Sequence, residues 1–383
     1  MPGSLYQDIL VFPLLFQKFS PCILTPGASL CYVSMCGLLK NTLQEKLFVN
    51  GKKMIPEKDN NAKGSWVTFR PEIKIHDCTV RDGGLINDHQ FEDGFVKAVY
   101  DTCVAAGVDY MEIGYKSSKK IAAPNQCGDW KYCDEDAVRR IVGDNPTPMK
   151  LSVMADAERT DYHTDILAKD KSVIDCIRVA TYIHQIPTAV DMIKDAHDKG
   201  YETTLNLMAI SSVRDHELTD ALDVLVKTPV DAIIVVDSFG ALYSEQIRYL
   251  IKTYLRAVEG TGKEVGIHAH NNQQLAYANT LEALIIGANR LDATINGMGR
   301  GAGNCPLELL IGFLKNPKFR LRPVLDCCQK VFLPFQQKME WGYNIPYMIT
   351  GQLNRHPRSA IKMRAGETPD DYVNFYDQMI EEE

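Results

Sequence analysis

The chain contains 383 residues, of which 45% are hydrophobic, and this content can fill a large core and excludes global disorder. Its formal net charge of −7 excludes a general binder of nucleic acids or anionic membranes, because such binders need excess cations to displace counterions from phosphates. The 11 cysteines are odd in number and lack paired spacing, so they indicate reduced thiols and a cytoplasmic location. Cys127 and Cys133 have no second ligand pair nearby, which disfavours a structural zinc site.

Residues 1–70 differ in composition from the rest of the chain and are predicted to be a poorly ordered leader and linker. The uncharged stretch 20–39 is interrupted by prolines and glycines, which disfavours a transmembrane helix. The apolar stretch 10–16 lacks the basic segment that precedes the core of a secretory signal. An organelle-targeting leader is the alternative interpretation of this segment.

From Pro71 onward, short β-branched runs alternate with amphipathic stretches, a pattern typical of parallel βα units. Eight strands are predicted, at 73–79, 110–114, 150–154, 175–180, 202–208, 232–236, 265–268 and 290–295. Helices are predicted between them, for example at 91–106, 186–199, 242–259 and 273–286. These units predict an α/β fold, a (β/α)8 TIM barrel over residues 71–316. The alternative is a doubly wound open sheet, but no G-x-G-x-x-G fingerprint follows the first strand.

Residues 317–383 do not continue this alternation and are predicted to form a C-terminal helical extension that packs on the barrel. One helix is predicted at 324–339, followed by an aromatic, proline-containing segment. The aromatic residues of that segment, Tyr343 and Tyr347 among them, are interpreted first as packing residues of the extension.

Two of the predicted strands end in polar residues of the kind that bind metals. The first runs into Arg81 and Asp82, and the seventh ends in His268-Ala269-His270. Barrel enzymes work at the carboxyl ends of their strands, and residues two apart on a strand share one face. Asp82, His268 and His270 are therefore predicted to bind a divalent cation, with coordination positions left for a substrate and water. The alternative is two hydrogen-bonded core histidines and a helix-capping aspartate.

A glycine-rich loop, N-G-M-G-R-G-A-G-N, follows the eighth predicted strand at 296–304. Gly299, Gly301 and Gly303 would let the backbone approach a ligand closely, and the loop after strand eight is a common anion site in barrels. A series of tight turns without a binding role is the alternative interpretation.

These motifs resemble a superfamily of metal-dependent TIM-barrel lyases and synthases that includes 4-hydroxy-2-oxovalerate aldolase, HMG-CoA lyase and isopropylmalate synthase. The resemblance covers residues 73–313 and rests on D-C-T-V-R-D-G-G, H-A-H-N-N and L-D-A-T-I-N-G-M-G-R-G-A-G-N. It is strongest to the aldolase branch. It implies that Asp82, His268 and His270 are the metal ligands, that Asn304 lies beside the metal, and that the metal is Mn²⁺ or Mg²⁺.

The resemblance also implies roles for residues around the metal. Arg81 matches the arginine that stabilises the enolate, and Glu112 matches the carboxylate that supports this arginine. A tyrosine of the C-terminal extension approaches the active site in the aldolase, which makes Tyr343 and Tyr347 candidates for that role.

One position departs from the aldolase branch, where a histidine that follows the R-D-G sequence acts as the base. Leu85 stands at the matching position in this chain. The residues that could replace the missing base are His89, Asp88, Tyr115, Lys116, His184 and His356, and His89 is carried forward as the catalytic candidate. A general base must reach the substrate hydroxyl directly or through one water.

The leading hypothesis is a divalent-metal-dependent carbon-carbon lyase of the aldolase type that acts on a small oxo acid through a metal-stabilised enolate. The alternatives are a Claisen-type synthase or CoA-ester lyase acting on an acyl-CoA at the same site, a catalytically degenerate metal-binding barrel, and an iron-dependent oxygenase with the same ligands. The expected partners are a small-molecule substrate, further copies of the chain in a homo-oligomer and a dehydrogenase, with no nucleic acid and no membrane.

Overall fold

The computed structural model describes residues 70–121, 126–368 and 371–381, together with the backbone of two short strands nearer the N-terminus. These two strands, Phe48–Val49 and Lys52–Lys53, pair antiparallel. Apart from them and residue 70, the predicted leader at 1–70 lies outside the described residues. The described residues from 70 onward belong to one compact unit, and its division into a barrel and an extension at residue 316 stays a prediction.

Eight parallel strands close into a barrel, which confirms the predicted (β/α)8 fold and excludes the open doubly wound sheet. The strands are β1 (Lys74–Asp77), β2 (Tyr110–Tyr115), β3 (Lys150–Asp156), β4 (Cys176–Thr181), β5 (Glu202–Leu207), β6 (Ala232–Asp237), β7 (Glu264–Ala269) and β8 (Arg290–Ala293). Closure occurs where β8 pairs in parallel with β1, with Arg290 opposite Lys74 and Ala293 opposite Asp77. The carboxyl ends of β1, β7 and β8 are therefore neighbours.

The strands are buried on both faces, because helices cover the outside of the barrel and side chains fill its interior. This double burial explains why the strands appear in the sequence as continuous β-branched runs without polar alternation. Several charged strand residues, among them Glu112, Arg178 and Asp292, are exceptions to the apolar pattern and are also buried.

The four barrel helices for which bounds were predicted begin and end within three residues of those bounds. The helices are α1 (Thr79–Gly83), α2 (Asp93–Ala106), α3 (Glu135–Val142), α4 (Tyr162–Asp165), α5 (Ile186–Asp198), α6 (Asp215–Leu225), α7 (Ser244–Val258), α8 (Ala276–Ile286), α9 (Leu307–Leu314), α10 (Leu321–Cys327), α11 (Leu333–Gln336), α12 (Ile345–Gln352), α13 (Arg358–Arg364) and α14 (Tyr372–Glu381). Within the described part of the chain, no helix has the length and apolarity that crossing a bilayer requires.

The first strand was predicted to run to Thr79, and this end is wrong. β1 stops at Asp77 because the Asp77 carboxylate accepts hydrogen bonds from the Thr79 N–H at 3.1 Å and from the Thr79 hydroxyl at 2.6 Å. This side-chain turn starts α1 at Thr79 and places Arg81 and Asp82 on a short helix. The eighth strand likewise ends at Ala293, earlier than predicted, because a 3₁₀ turn begins at Ile295.

The C-terminal segment is helical, and the helix predicted at 324–339 is present as an uninterrupted helical run from residue 321 to residue 336. A π-helical segment, Cys328–Phe332, joins α10 to α11. The widened turn precedes Pro334, which has no N–H to donate to the preceding turn. Phe95 of α2 packs against Phe332 and Phe335 with ring centroids 5.4 and 4.7 Å apart, so aromatic contacts hold this segment to the barrel.

Asp77 makes the stability of the barrel depend on pH. Burial raises the pKa of its carboxyl to about 7. Between about pH 4 and pH 7 the folded protein therefore holds a proton that the unfolded chain has released, and stability falls as pH rises through this window. We expect the unfolding free energy of Asp77→Asn, which cannot ionise, to rise by about 4 kcal/mol relative to that of the wild type as the pH increases from 4 to 7.5. Urea unfolding at several pH values measures this difference, and a difference independent of pH would contradict the expectation.

Candidate active site

A narrow cavity of about 70 Å³ opens at the carboxyl ends of the barrel strands. Its apolar walls are formed by Leu85, Tyr115, Met154, Tyr182, Met208, Val236 and Phe239. Its polar and charged residues are Arg81, Asp82, Asn206, Ser238, His268, His270, Arg300 and His356. The last of these comes from the C-terminal segment, so this segment takes part in the cavity that the barrel strands begin.

Asp82, His268 and His270 converge in this cavity. One potential ligand atom from each lies within 4.8 Å of the others, and all three side chains are buried. His268 lies in β7 and His270 directly follows it, so the two-residue period of the strand places both imidazoles on one face. α1 brings Asp82 to the same point from the end of β1. The structure thus brings together the three side chains that the sequence analysis grouped as metal ligands.

The charge states of these residues suit a cation. Burial alone would raise the pKa of Asp82, but the Arg81 guanidinium and the two imidazoles hold that pKa well below its usual range. Burial lowers the pKa of His270 well below its ordinary value. Near pH 7 the site therefore holds an ionised carboxylate beside a neutral imidazole, which are the forms that bind metals.

Two buried acceptor atoms at this site have no hydrogen-bond partner among the residues that the structure describes. The Nδ1 of His268 lies 3.0 Å from Asp292 Oδ2, so Nδ1 carries the proton, and its buried Nε2 is a free acceptor. Asn304 donates its side-chain amide to Asp82 Oδ2 at 2.6 Å, and its buried Oδ1 also has no hydrogen-bond partner. Unpaired buried acceptors are costly. A divalent cation held by two imidazoles, one carboxylate and one amide oxygen would satisfy them, so the residues present fit such an ion.

A second group of potential ligands, Cys78, His268 and Asp292, does not fit a cation. The Arg178 guanidinium already occupies it, with Nη1 3.3 Å from Cys78 Sγ and Nη2 2.6 Å from Asp292 Oδ2. Burial and the charge of Asp292 raise the pKa of the Cys78 thiol well above its usual value, so the thiol stays protonated and is a poor ligand.

Arg81 lies beside the metal cluster with its guanidinium fixed by two carboxylates. Its Nε is 2.7 Å from Glu112 Oε2, and its Nη1 is 2.6 Å from Asp82 Oδ1. Its third nitrogen, Nη2, is buried and has no hydrogen-bond partner among the described residues. Arg81 therefore has a free donor available for an oxygen atom of a substrate in the cavity.

Two charged residues that complete this arrangement, Arg178 and Asp292, were not identified from the sequence. Arg178 is wholly buried in β4, with Nη1 3.1 Å from Glu112 Oε2 and Nη2 2.6 Å from Asp292 Oδ2. Glu112 in turn holds Arg81, and Asp292 holds His268. A charged residue within a buried β-branched run is the sequence signal that could have identified them, because unpaired charges are almost never buried.

The glycine-rich loop lies directly against the metal cluster. A Cβ atom on Gly299 would lie 2.1 Å from Asn304 Nδ2 and 2.5 Å from Asp82 Oδ2. Gly301 and Gly303 have positive φ angles of 64° and 82°, which side chains disfavour. Gly299 is therefore required by the cluster, and the other two glycines by the turns of the loop. Whether this loop also binds a cofactor or an anion stays a prediction.

Three other candidates do not line the cavity, and their catalytic roles stay predictions. His89 packs its buried ring against Tyr115 with centroids 5.2 Å apart, and burial with nearby positive charges lowers its pKa to about 3. Tyr343 is 53% exposed. Tyr347 is buried and lines a neighbouring cavity that shares Leu85 and Arg300 with the first.

The fold and the cluster define a class, the TIM-barrel enzymes with a candidate divalent-metal centre at the carboxyl ends of the strands. Comparison with known proteins gives the family. The profile of the HMGL-like family matches residues 72–330, and the chain belongs to this family. The resemblance to metal-dependent barrel lyases is thereby confirmed.

Individual relatives agree with the predicted enzyme class. The chain is similar to an oxaloacetate decarboxylase of Mycobacterium tuberculosis, with 32% identity over 253 residues that cover 65% of this chain and 71% of the relative. It is 30% identical to a 4-hydroxy-2-oxovalerate aldolase of Carboxydothermus hydrogenoformans over 271 residues, 69% of this chain and 78% of the relative. Both names denote lyases that act on small oxo acids.

Solved structures support the same fold. The N-terminal domain of a Bacteroides vulgatus protein described as an aldolase matches with a TM-score of 0.67 and 28% identity, covering 76% of this chain and 97% of that domain. A hydroxymethylglutaryl-CoA lyase from Pseudomonas aeruginosa matches with a TM-score of 0.57 and 17% identity, covering 70% of this chain and 94% of the lyase, and supports the fold alone.

We expect Gly299→Ala to weaken divalent-cation binding, because its Cβ would displace the Asp82 carboxylate and the Asn304 amide. The Kd for Mn²⁺, measured by titration calorimetry, should rise at least about tenfold. Gly312→Ala is the matched control, since a Cβ there would meet no atom nearer than 4.0 Å, and it should bind Mn²⁺ as the wild type does. Equal Mn²⁺ affinity in the two variants would contradict this placement of the metal.

We expect Arg178→Met to destabilise the fold by about 3–5 kcal/mol, because it leaves Asp292 buried without a counter-charge and Glu112 paired with Arg81 alone. Arg140→Met is the matched control, because Arg140 also pairs with two carboxylates but lies on the surface. Loss of the exposed pairs should cost about 1 kcal/mol or less. Urea unfolding compares the two variants, and similar losses would show that the burial of Arg178 has no special effect on stability.

Proposed function

We propose that this protein is a divalent-metal-dependent carbon-carbon lyase that cleaves a small 2-oxo acid through an enolate. The observation that carries the proposal is the convergence of Asp82, His268 and His270, with unpartnered acceptors on His268 and Asn304, beside the free Nη2 of Arg81. Membership of the HMGL-like family and the lyase names of the relatives support the reaction class.

Asp82, His268, His270 and Asn304 would hold the cation, which we propose to be Mn²⁺ or Mg²⁺. The carboxylate and amide oxygens suit both ions, and the imidazoles suit the transition metal. When bound, the cation supplies Lewis-acid polarisation of the substrate carbonyl. Asp292 fixes the His268 ring through Nδ1 and leaves Nε2 free for coordination.

Arg81 would stabilise the negative charge that develops on the carbonyl oxygen as the bond breaks. Its Nη2 is an N–H donor with no partner in the described part of the chain, and its other nitrogens are held by Glu112 and Asp82. A donor fixed in advance needs little reorganisation during the reaction, which is how such groups lower barriers. Glu112 acts through Arg81 and is a positioning residue.

The glycine-rich loop would support the metal side of the site. Gly299 leaves the space that Asp82 and Asn304 occupy, and the ring of Tyr347 packs under Gly301, where a Cβ would lie 2.9 Å from the ring. We propose that Tyr347 supports the loop. Catalytic roles for Tyr343 and His89 stay predictions without support from the cavity geometry.

We propose a cytoplasmic location, because eight cysteines among the described residues are free thiols. A homo-oligomer and a partner dehydrogenase stay predictions. Light scattering would determine the mass of the assembly, and a coupled assay with an aldehyde dehydrogenase would detect transfer of an aldehyde product.

The Mn²⁺-loaded protein is expected to release pyruvate from at least one small 2-oxo acid in a panel of 4-hydroxy-2-oxo acids and oxaloacetate, above the rate with Mn²⁺ alone. EDTA should abolish this activity and added Mn²⁺ should restore it.

Arg81→Lys keeps the charge but loses the fork that the two carboxylates hold, so kcat should fall about 10²- to 10³-fold with little change in Mn²⁺ affinity.

His268→Ala distinguishes the metal site from a structural histidine pair, and it should abolish Mn²⁺ binding and activity together. Activity that survives this change would contradict the proposal, as would a Mn²⁺-loaded protein that cleaves no member of the panel. Release of free CoA from acetyl-CoA and an oxo acid would instead identify a Claisen-type synthase.

A further inference from the structure

The cavity contains several groups that stabilise negative charge, but its walls offer no group placed to accept a proton. Apart from Arg81 and the proposed metal ligands, its functional groups belong to Tyr115, Tyr182, Asn206, Ser238, Arg300 and His356. Burial raises the pKa of Tyr115 far above neutrality, and neither an amide nor a guanidinium accepts protons at neutral pH. Only His356 is of a residue type that commonly acts as a base.

The hydrogen bonding of His356 makes it a donor. Its Nδ1 accepts the backbone N–H of Arg358 at 3.2 Å, so the neutral ring carries its proton on Nε2. A second proton on Nδ1 would oppose that N–H and break the bond. Burial, with the charges of Arg300 and Arg358, also lowers the pKa of His356 to about 4. His356 therefore offers the cavity an N–H and has little tendency to take up a proton.

The side chains on the remaining walls do not replace the missing acceptor. Leu85 places an apolar side chain on the wall that also contains Arg81 and Asp82. Asp156 is a further carboxylate at this end of the barrel, but it does not line the cavity, and it interacts with the charges of Lys131 and Arg159.

The charge of the cavity favours a substrate with two carboxylates. Arg300 lines the cavity and forms no ion pair with a carboxylate in the part of the chain that the structure describes, although its charge acts on Asp82. Its Nη2 donates to the Ser238 carbonyl oxygen at 2.8 Å. Arg81, in contrast, is already paired with Glu112 and Asp82. A guanidinium without a counter-ion beside a divalent cation attracts a dianion more strongly than a monoanion.

We propose that the substrate is a small 2-oxo acid with a second carboxylate on the carbon next to the oxo group, and that the site breaks the bond to this carboxylate. The inference rests on the proposed function, because both reactions pass through the same type of enolate. Aldol cleavage must remove a hydroxyl proton as the carbon-carbon bond breaks. Decarboxylation needs no such acceptor, since the departing group carries no proton.

The simplest such substrate is oxaloacetate, for which the atoms and charges balance. The bond between C3 and its carboxylate breaks, CO₂ leaves, and the electron pair stays on the remaining three carbons as the enolate of pyruvate. One proton from water at C3 then gives pyruvate and hydroxide, which combines with CO₂ as bicarbonate. No oxidant or reductant takes part. Arg300 attracts the dianion, and the Nε2–H of His356 donates a hydrogen bond to it.

One assay tests the inference, because oxaloacetate and 4-hydroxy-2-oxopentanoate both give pyruvate. The Mn²⁺-loaded protein is measured on each substrate, and the rate with Mn²⁺ alone is subtracted. We expect kcat/KM for oxaloacetate to exceed that for the hydroxy acid at least about 100-fold. A ratio below about 10 overturns the inference but leaves the proposed function intact, and release from neither substrate overturns both.

Leu85→His tests the missing acceptor directly. It places an imidazole on the cavity wall and is expected to raise the hydroxy-acid to oxaloacetate ratio of kcat/KM at least about tenfold. Leu85→Gln is the matched control, because it adds a polar group that does not titrate, and it should leave the ratio low. Equal ratios in the two variants count against the inference. If the wild type cleaves the hydroxy acid and Asp156→Asn does not, Asp156 is a proton acceptor and the inference is overturned.

Arg300→Met tests recognition of the second carboxylate. We expect KM for oxaloacetate to rise at least about tenfold with a smaller change in kcat. The affinity of the protein for pyruvate, a monoanion, should change much less. Equal losses for the monoanion and the dianion would show that Arg300 does not select for charge, and would overturn this part of the inference.

Discussion

The buried guanidinium of Arg178 is the contact on which the geometry of the site depends. It joins Glu112, which holds Arg81, to Asp292, which holds His268. Water cannot solvate these charges inside the barrel, so each must be satisfied by another side chain, and few arrangements satisfy all of them. The arginine that would meet the enolate and a histidine that would meet the metal are thus oriented by an ion pair outside the substrate cavity.

Barrel closure adds the second constraint. Asp82 and Asn304 are 222 residues apart in the sequence, yet their side chains lie 2.6 Å apart because β8 returns to pair with β1. The loop after β8 can approach α1 this closely only where it has no side chain, at Gly299. Parallel pairing therefore positions the loop, the loop positions the amide, and the amide orients the carboxylate.

The predictable parts of this architecture follow from local rules. Buried parallel strands appear as short β-branched runs, and side chains two apart on a strand share one face, so the barrel and the pair His268 and His270 were accessible from the sequence. The early end of β1 was not, because it depends on a hydrogen bond from Thr79 to Asp77. Arg178 and Asp292 were missed because their pairing depends on the closed barrel.

The reaction that such a site favours is decided by the balance between donors and acceptors on the cavity walls, because the fold itself suits several cleavages. A divalent cation and Arg81 would stabilise an enolate equally well whether the departing group is an aldehyde or CO₂. The two departing groups differ in whether a proton must first be removed. With the Nδ1 of His356 committed to a backbone N–H and a leucine at position 85, the cavity assists the cleavage that needs no base. A single imidazole added on that wall would be enough to shift the preference from decarboxylation to aldol cleavage. The side chains on the cavity wall, and not the barrel strands, therefore decide which bond is cleaved.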